Sequence, residues 1–149
     1  MNSMPLRILI ADDDASHARL VMRIFADHRL ANTVEHVADG EATLNYLSQR
    51  RDFKNALDYR LPDALLLDLK LPRIDGLSVL KSIRETDELR RLPVIILSTS
   101  NATTDVTRAY ELGASSYLVK PTDFGQFSQM INDLGDYWLL WNRSPWATS

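Results

Sequence analysis

The run Leu65-Leu66-Leu67-Asp68-Leu69-Lys70-Leu71-Pro72-Arg73-Ile74-Asp75-Gly76 constrains the fold more than any other part of the chain. Three consecutive leucines ending in a carboxylate describe a strand buried on both faces, with its last residue emerging where the sheet opens to solvent. The Leu-Pro and Asp-Gly that follow are turn residues, needed before a returning helix can begin. Asp68 is therefore a candidate site residue, although a strand-end Asp standing alone is more often only a loop cap. Whether it is more depends on what the other segments bring to the same edge.

They repeat the pattern. Arg7 to Ala11 is a first apolar strand that stops at Asp12-Asp13-Asp14. Leu20, Val21, Ile24 and Phe25 share one face of a helix from about Ala15 to His28, which Asp14 or Ser16 can cap. Thr33 to Ala38 has the β-branched content of a second strand, and Asp39-Gly40 opens a helix to about Arg50. Arg51 to Pro62 is a polar surface connection without a period. After the Asp68 strand, Leu77, Leu80, Ile83 and Arg84 suit a helix to about Thr86, and Pro93 precedes a fourth strand, Val94 to Leu97. A helix near Thr104 to Leu112 ends at Gly113, and Ser116 to Val119 is a fifth strand that stops at Lys120-Pro121. Phe124, Phe127, Met130, Ile131, Leu134, Trp138 and Trp141 recur at helical steps and predict one long final helix, despite Gly125 and Gly135. Residues 1–141 form one domain on this reading, and 142–149 a loose tail.

Five strands alternating with five helices indicate an α/β fold: a parallel sheet wound on both faces, because parallel strands need right-handed crossovers. Ligands of such sheets sit beyond the carboxyl ends of the strands. Asp12, Asp13, Asp68, Ser98 and Lys120 all end strands and should meet there. Three carboxylates crowded in a cleft repel one another, and a hard dication with oxygen ligands resolves this, magnesium being the natural candidate. A hydroxyl and an ammonium opposite it are what a phosphoryl group needs. Composition narrows the remainder. A net charge of −3 gives no reason to expect nucleic-acid or anionic-membrane binding, and the absence of cysteine excludes disulfides and thiolate chemistry. No apolar run approaches a membrane span or a signal core, so the expected location is the cytoplasm.

The acid pair after the first strand, the Leu-Leu-Leu-Asp with its Leu-Pro and Asp-Gly, the strand-ending Ser98 and the run Gly113-Ala114-Ser115-Ser116-Tyr117-Leu118-Val119-Lys120-Pro121 together resemble a response-regulator receiver domain, over about Leu6 to Trp138. The resemblance implies a flavodoxin-like, doubly wound sheet in the order 2-1-3-4-5 with five helices. It implies that Asp68 accepts a phosphoryl group from a histidine kinase, and that magnesium is held by Asp13 and Asp68, by Asp12 through water and by the backbone carbonyl of Lys70. Lys120 would pair with the phosphoryl oxygens, Ser98 would hydrogen-bond the phosphoryl group, and Tyr117 would change rotamer with it. The face of the fourth helix, fifth strand and fifth helix would then repack for a protein partner. A cis Lys120-Pro121 bond is a further expectation from the family, although the residues alone favour trans. Lys70 and Ser100, two residues beyond Asp68 and Ser98, would tune phosphoryl lifetime. The longer loop before Pro62, the Thr99-Ser100-Asn101 segment and the ending Tyr137-Trp138-Leu139-Leu140-Trp141 are similar to stand-alone regulators that partner phytochrome-type histidine kinases.

Departures and rivals bear on this reading. Thr122-Asp123 stand where the family often has an aromatic after Lys-Pro. Ala15, Ala18 and Met22 on the first helix are candidates for kinase choice, or simply helix surface. Tyr137, Trp138 and Trp141 are candidates for homodimer contact, the alternative being a tail packed on its own domain. His17, His28 and His36 lack the spacing of a metal site and read as incidental. Room after Pro121 for one helix and a tail leaves none for a DNA-binding output module. The expected class is a phosphoacceptor signalling protein that is not an enzyme. One rival is a small magnesium-dependent aspartate-nucleophile phosphatase, although Asp68-Leu69-Lys70 lacks the second acid such enzymes carry. Another is a receiver-like interaction module that is never phosphorylated.

Overall fold

A computed structural model of the chain describes residues 6–27, 31–52, 60–141 and Trp146. In chain order the elements are β1 (Leu6–Ala11), α1 (Ala15–Ala26), β2 (Ala31–Val37), α2 (Gly40–Asp52), β3 (Ala64–Leu67), α3 (Gly76–Glu85), β4 (Val94–Ser98), α4 (Thr103–Glu111), β5 (Ser116–Val119) and α5 (Phe124–Gly135). The strands pair in parallel in the order β2-β1-β3-β4-β5. This is the doubly wound α/β fold expected from the sequence.

Side chains alternate across a strand, so the apolar runs of the inner strands feed two separate cores. Leu9, Ala11, Leu65, Leu67, Val94 and Ile96 face one side, against Leu47 of α2, Val79, Leu80 and Ile83 of α3 and Ala109 of α4. Ile8, Ile10, Leu66, Ile95 and Leu97 face the other, against Ala18, Val21 and Phe25 of α1 and Phe127 and Ile131 of α5. Each fully buried Leu, Ile or Phe contributes roughly 1.5–3 kcal/mol relative to exposure. Register puts Ala11 beside Leu67 and Ser98 beside Val119, so the polar residues that follow these strands emerge at one edge.

Helix starts follow from short acids. Asp14 accepts from the N–H groups of Ser16 (2.9 Å) and His17 (3.1 Å), Asp75 from Ser78 (3.0 Å) and Asp123 from Gln126 (2.9 Å). At the end of α4, Gly113 adopts φ 100°, with its N–H on the Tyr110 carbonyl and that of Ala114 on Ala109. That left-handed closure is the one the glycine predicts.

Four expectations need correction. The first helix stops at Ala26, where the N–H of Asp27 closes back on the Arg23 and Ile24 carbonyls; His28 lies outside the described residues. The second helix continues to Asp52, and residues 53–59 of the expected surface connection lie outside the described residues. The final helix is α-helical only to Gly135, one of its two glycines, and widens to π-helical pitch over Asp136–Trp141. The Lys120–Pro121 bond is trans, the isomer that an X-Pro amide favours intrinsically by about 0.5–1 kcal/mol. Of the tail, Trp146 packs on its own domain: it adjoins the α2–α4 core and its Nε1–H donates to the Pro62 carbonyl at 2.7 Å.

Candidate functional site

The site is assembled by strand ends. The N–H of Asp12 bonds the Val37 carbonyl, and that of Asp68 bonds the Ala11 carbonyl at 2.9 Å, so sheet pairing carries both acids to the edge in fixed positions. Across the sheet, the N–H of Lys120 bonds the Ser98 carbonyl at 2.7 Å. The Lys120 stem then crosses back over the edge, buried, and its Nζ donates to Asp12 Oδ2 at 2.6 Å and to Asp68 Oδ2 at 3.2 Å. One ammonium thus serves two buried carboxylates. The remaining oxygens are held by backbone: Asp12 Oδ1 accepts from the Asp14 N–H at 2.9 Å, and Asp68 Oδ1 from the Lys70 N–H at 3.1 Å.

Burial pushes the Asp12 carboxyl above its ordinary pKa, against the lowering effect of the Lys120 hydrogen bond. Asp13 completes the cluster from an exposed position, and carboxylate oxygens of Asp12, Asp13 and Asp68 lie within 4.8 Å of one another. Three hard oxygen donors so close, with a single ammonium among them, fit a divalent cation of the magnesium or manganese type.

Two glycines let backbone segments approach closely beside the acid edge. A Cβ on Gly76 would stand 2.3 Å from the Asp68 carbonyl oxygen, and one on Gly40 would stand 1.8 Å from the Ile74 carbonyl oxygen. Arg73, at φ 70°, turns the chain between them and pairs with Glu41 at 3.1 Å.

Ser98 is fully buried at the end of β4, with its Oγ accepting from the Ser100 N–H at 3.3 Å. The Tyr117 hydroxyl donates to the Ser100 carbonyl at 2.8 Å, and burial raises its pKa. Ser98 and Tyr117 are therefore both tied to the β4–α4 loop. The Lys70 side chain is exposed. On α1, Ala15 is exposed and Met22 half-buried, whereas Ala18 is 1% exposed in the core between α1 and the sheet and offers no surface to a partner. Of the aromatic candidates, Tyr137 is exposed and Trp138 is half-buried against the α1–α5 core, while the Trp141 side chain lies outside the described residues.

Sequence reasoning missed His17. Its Nδ1 lies 3.0 Å from Lys120 Nζ, and its ring meets Phe127 edge-on at 5.0 Å. The signal was available in its position one turn after Asp13, because helical side chains lean back toward the N-terminus, here the acid edge. His36 was missed too: its Nε2 lies 2.7 Å from the Asp12 carbonyl, supporting the same strand end from β2.

Among the described residues no helix is long and apolar enough to cross a membrane. The response regulator receiver domain family matches residues 8–132. The probable methanogenesis regulatory protein FilR2 of Methanothrix harundinacea is 39% identical over 141 residues, covering 95% of this chain and 88% of that protein. The response regulator Rcp1 of Synechocystis is 32% identical over 135 residues, 91% of this chain and 90% of its own. The crystal structure of Mn2+-bound Rcp1 superposes with a TM-score of 0.86 over 95% of this chain and 99% of that one. That of the phosphorylated cyanobacterial phytochrome response regulator RcpA, 32% identical, gives 0.86 with the same coverage. The family match reaches into all five strands and takes in both partners of the Asp68–Lys120 contact, and on that footing the chain belongs to the response regulator receiver domain family.

Proposed function

We propose that Asp68 is the phosphoacceptor of a two-component signalling pathway, loaded by a histidine kinase of the phytochrome type. The carrying observation is the Lys120 ammonium, buried and 3.2 Å from Asp68 Oδ2, already where a new anion on that carboxylate has to be neutralised. In the transfer, a carboxylate oxygen of Asp68 attacks the phosphorus of a kinase phosphohistidine, the N–P bond breaks, and the imidazole leaves with a proton from water. The product is an acyl phosphate. Positioning and charge neutralisation dominate such a reaction, and this edge is built for both.

Asp13 and Asp68 directly, Asp12 through water and the Lys70 carbonyl would hold magnesium; bound there, it offsets charge on the phosphoryl oxygens. Lys120 keeps its place and exchanges part of its contact with Asp68 for a phosphoryl oxygen. The Ser98 hydroxyl leaves the Ser100 N–H to donate to the phosphoryl group. That releases the Ser100 N–H and loosens the loop whose Ser100 carbonyl Tyr117 now holds, and the α4, β5 and α5 face repacks. Lys70 and Ser100 set how fast water removes the group. The chain assists its own loading and hydrolysis and has no other turnover.

Similarity to RcpA supports the kinase class, and exposed Ala15 with half-buried Met22 on α1 would take part in kinase choice. Tyr137, 58% exposed beside Trp138, would supply the contact with a second copy, which a sedimentation dilution series tests. The phosphatase reading is disfavoured at Lys70, an exposed cation where a second acid would protonate the leaving group. The test is phosphotransfer from an autophosphorylated phytochrome-type kinase. Label should pass to the chain within minutes, be lost in alkali and be absent from Asp68→Asn. Label retained by Asp68→Asn, or multiple turnover of a generic phosphate ester, would overturn the reading.

A further inference from the structure

The ammonium of Lys120 has three protons and three acceptors around it: Asp12 Oδ2 at 2.6 Å, Asp68 Oδ2 at 3.2 Å and His17 Nδ1 at 3.0 Å. Lys120 can only donate, so Nδ1 of His17 is the acceptor and the ring proton sits on Nε2. His17 is itself fixed from two sides, by its place in the first turn of α1 and by the edge-on Phe127 ring of α5. We propose that His17 is a positioning residue: its neutral imidazole takes the third ammonium proton and holds Lys120 Nζ over the Asp12–Asp68 edge. This rests on the reading of Asp68 as phosphoacceptor.

The arrangement has a chemical consequence. Protonation turns Nδ1 from an acceptor into a donor and sets two cations 3.0 Å apart. The groups facing the ring are then Asp14 from the start of α1, with Oδ2 3.4 Å from Nδ1, Lys120 from the end of β5, backed by Asp12 and Asp68, and the uncharged Phe127 ring of α5. A protonated ring is drawn to Asp14 and repelled by Lys120, so the ammonium loses its third anchor.

The test uses the full chain, with His17→Ala and with His17→Asn, whose side-chain oxygen restores an acceptor near the place of Nδ1. With acetyl phosphate and magnesium above pH 8, His17→Ala should label about 10-fold more slowly, the worth of one hydrogen bond to a charged group. His17→Asn should recover to within about 3-fold of the natural chain, less than half of that loss on a free-energy scale. A second readout is independent of phosphorylation: nitrogen NMR of the imidazole should find Nδ1 unprotonated and Nε2 protonated at pH 8. A proton on Nδ1, or His17→Ala labelling as fast as the natural chain, would overturn the proposal. If the natural chain takes no label at all, the phosphoacceptor reading fails instead, and the NMR tautomer alone decides the placement of His17.

Discussion

Gly76→Ala is the smallest change that should reach both stability and the site. A Cβ there would lie 2.3 Å from the Asp68 carbonyl oxygen, 2.6 Å from the Leu69 Cα and 3.1 Å from the Asp68 carbonyl carbon, all backbone atoms. Ordinary carbon contacts begin near 3.5 Å, so the start of α3 and the segment after β3 must separate by about 1 Å. The hydrogen bond from the Gly76 N–H to the Leu69 carbonyl, 2.9 Å, would stretch with them. Overpacking costs about 1–3 kcal/mol and the weakened bond about 1, against a gain of up to about 1 from replacing glycine in a helix. The net loss is about 2–3 kcal/mol, which urea unfolding reads as a midpoint lower by roughly 1–2 M. A shift of about 1 Å at the Asp68 backbone should also slow labelling by acetyl phosphate by roughly 100-fold. Gly125→Ala is the control. Its Cβ meets only Asp123 Oδ1 at 3.2 Å, the end of a side chain, and the expected change is between neutral and about 1 kcal/mol more stable. A Gly76→Ala chain as stable as the natural one would refute the close-approach argument.

Asp14→Ala should cost about 1 kcal/mol at neutral pH through loss of the α1 cap. Hydrogen bonding from the His17 N–H chiefly lowers the Asp14 carboxyl pKa in the folded chain. Its contribution is thus complete above the unfolded value near 3.9 and lost as pH falls through the lower folded value, so the two chains should converge only below about pH 4 in thermal unfolding. Arg84→Met should lose about 2–3 kcal/mol in urea unfolding, because the half-buried guanidinium bonds the Gly113 carbonyl at 2.8 Å, the Leu92 carbonyl at 2.7 Å and the Arg90 carbonyl at 3.0 Å. Trp146→Ala should lose about 2 kcal/mol equally at every protein concentration, since its contact with Pro62 lies within one chain. A loss confined to high concentration in calorimetry would place that contact between copies.

How much of this was legible in the sequence depends on which interactions are local. The inner strands announce themselves: Leu65 to Leu67 and Val94 to Leu97 are buried on both faces, and such short apolar runs bounded by turn residues suit a buried parallel strand. Helix caps at Asp14, Asp75 and Asp123 and the left-handed Gly113 are equally local and equally visible in the residues. The second helix is less transparent in detail. It hides Leu47 and Thr43, but it also buries Arg50, which with Tyr46 and Arg7 gathers on Glu35 of β2, a cluster that depends on tertiary pairing. At the site, strand-end chemistry placed Asp12, Asp13, Asp68, Ser98 and Lys120 together. Placing His17 required the direction of a helical side chain as well as the spacing of histidines. Ala18 looked like helix surface because alanine carries little signal of which face it occupies, and the sheet buries it. The Trp146 contact spans 84 residues of sequence, and no local pattern encodes it.

The most direct test of the central claim is the intact mass of the chain after incubation with acetyl phosphate and magnesium, with Asp68→Asn beside it. One phosphoryl group should be added to the natural chain, dependent on the metal and absent from the variant. An unmodified natural chain, under conditions in which another receiver domain labels fully, would contradict it and favour an interaction module that is never phosphorylated.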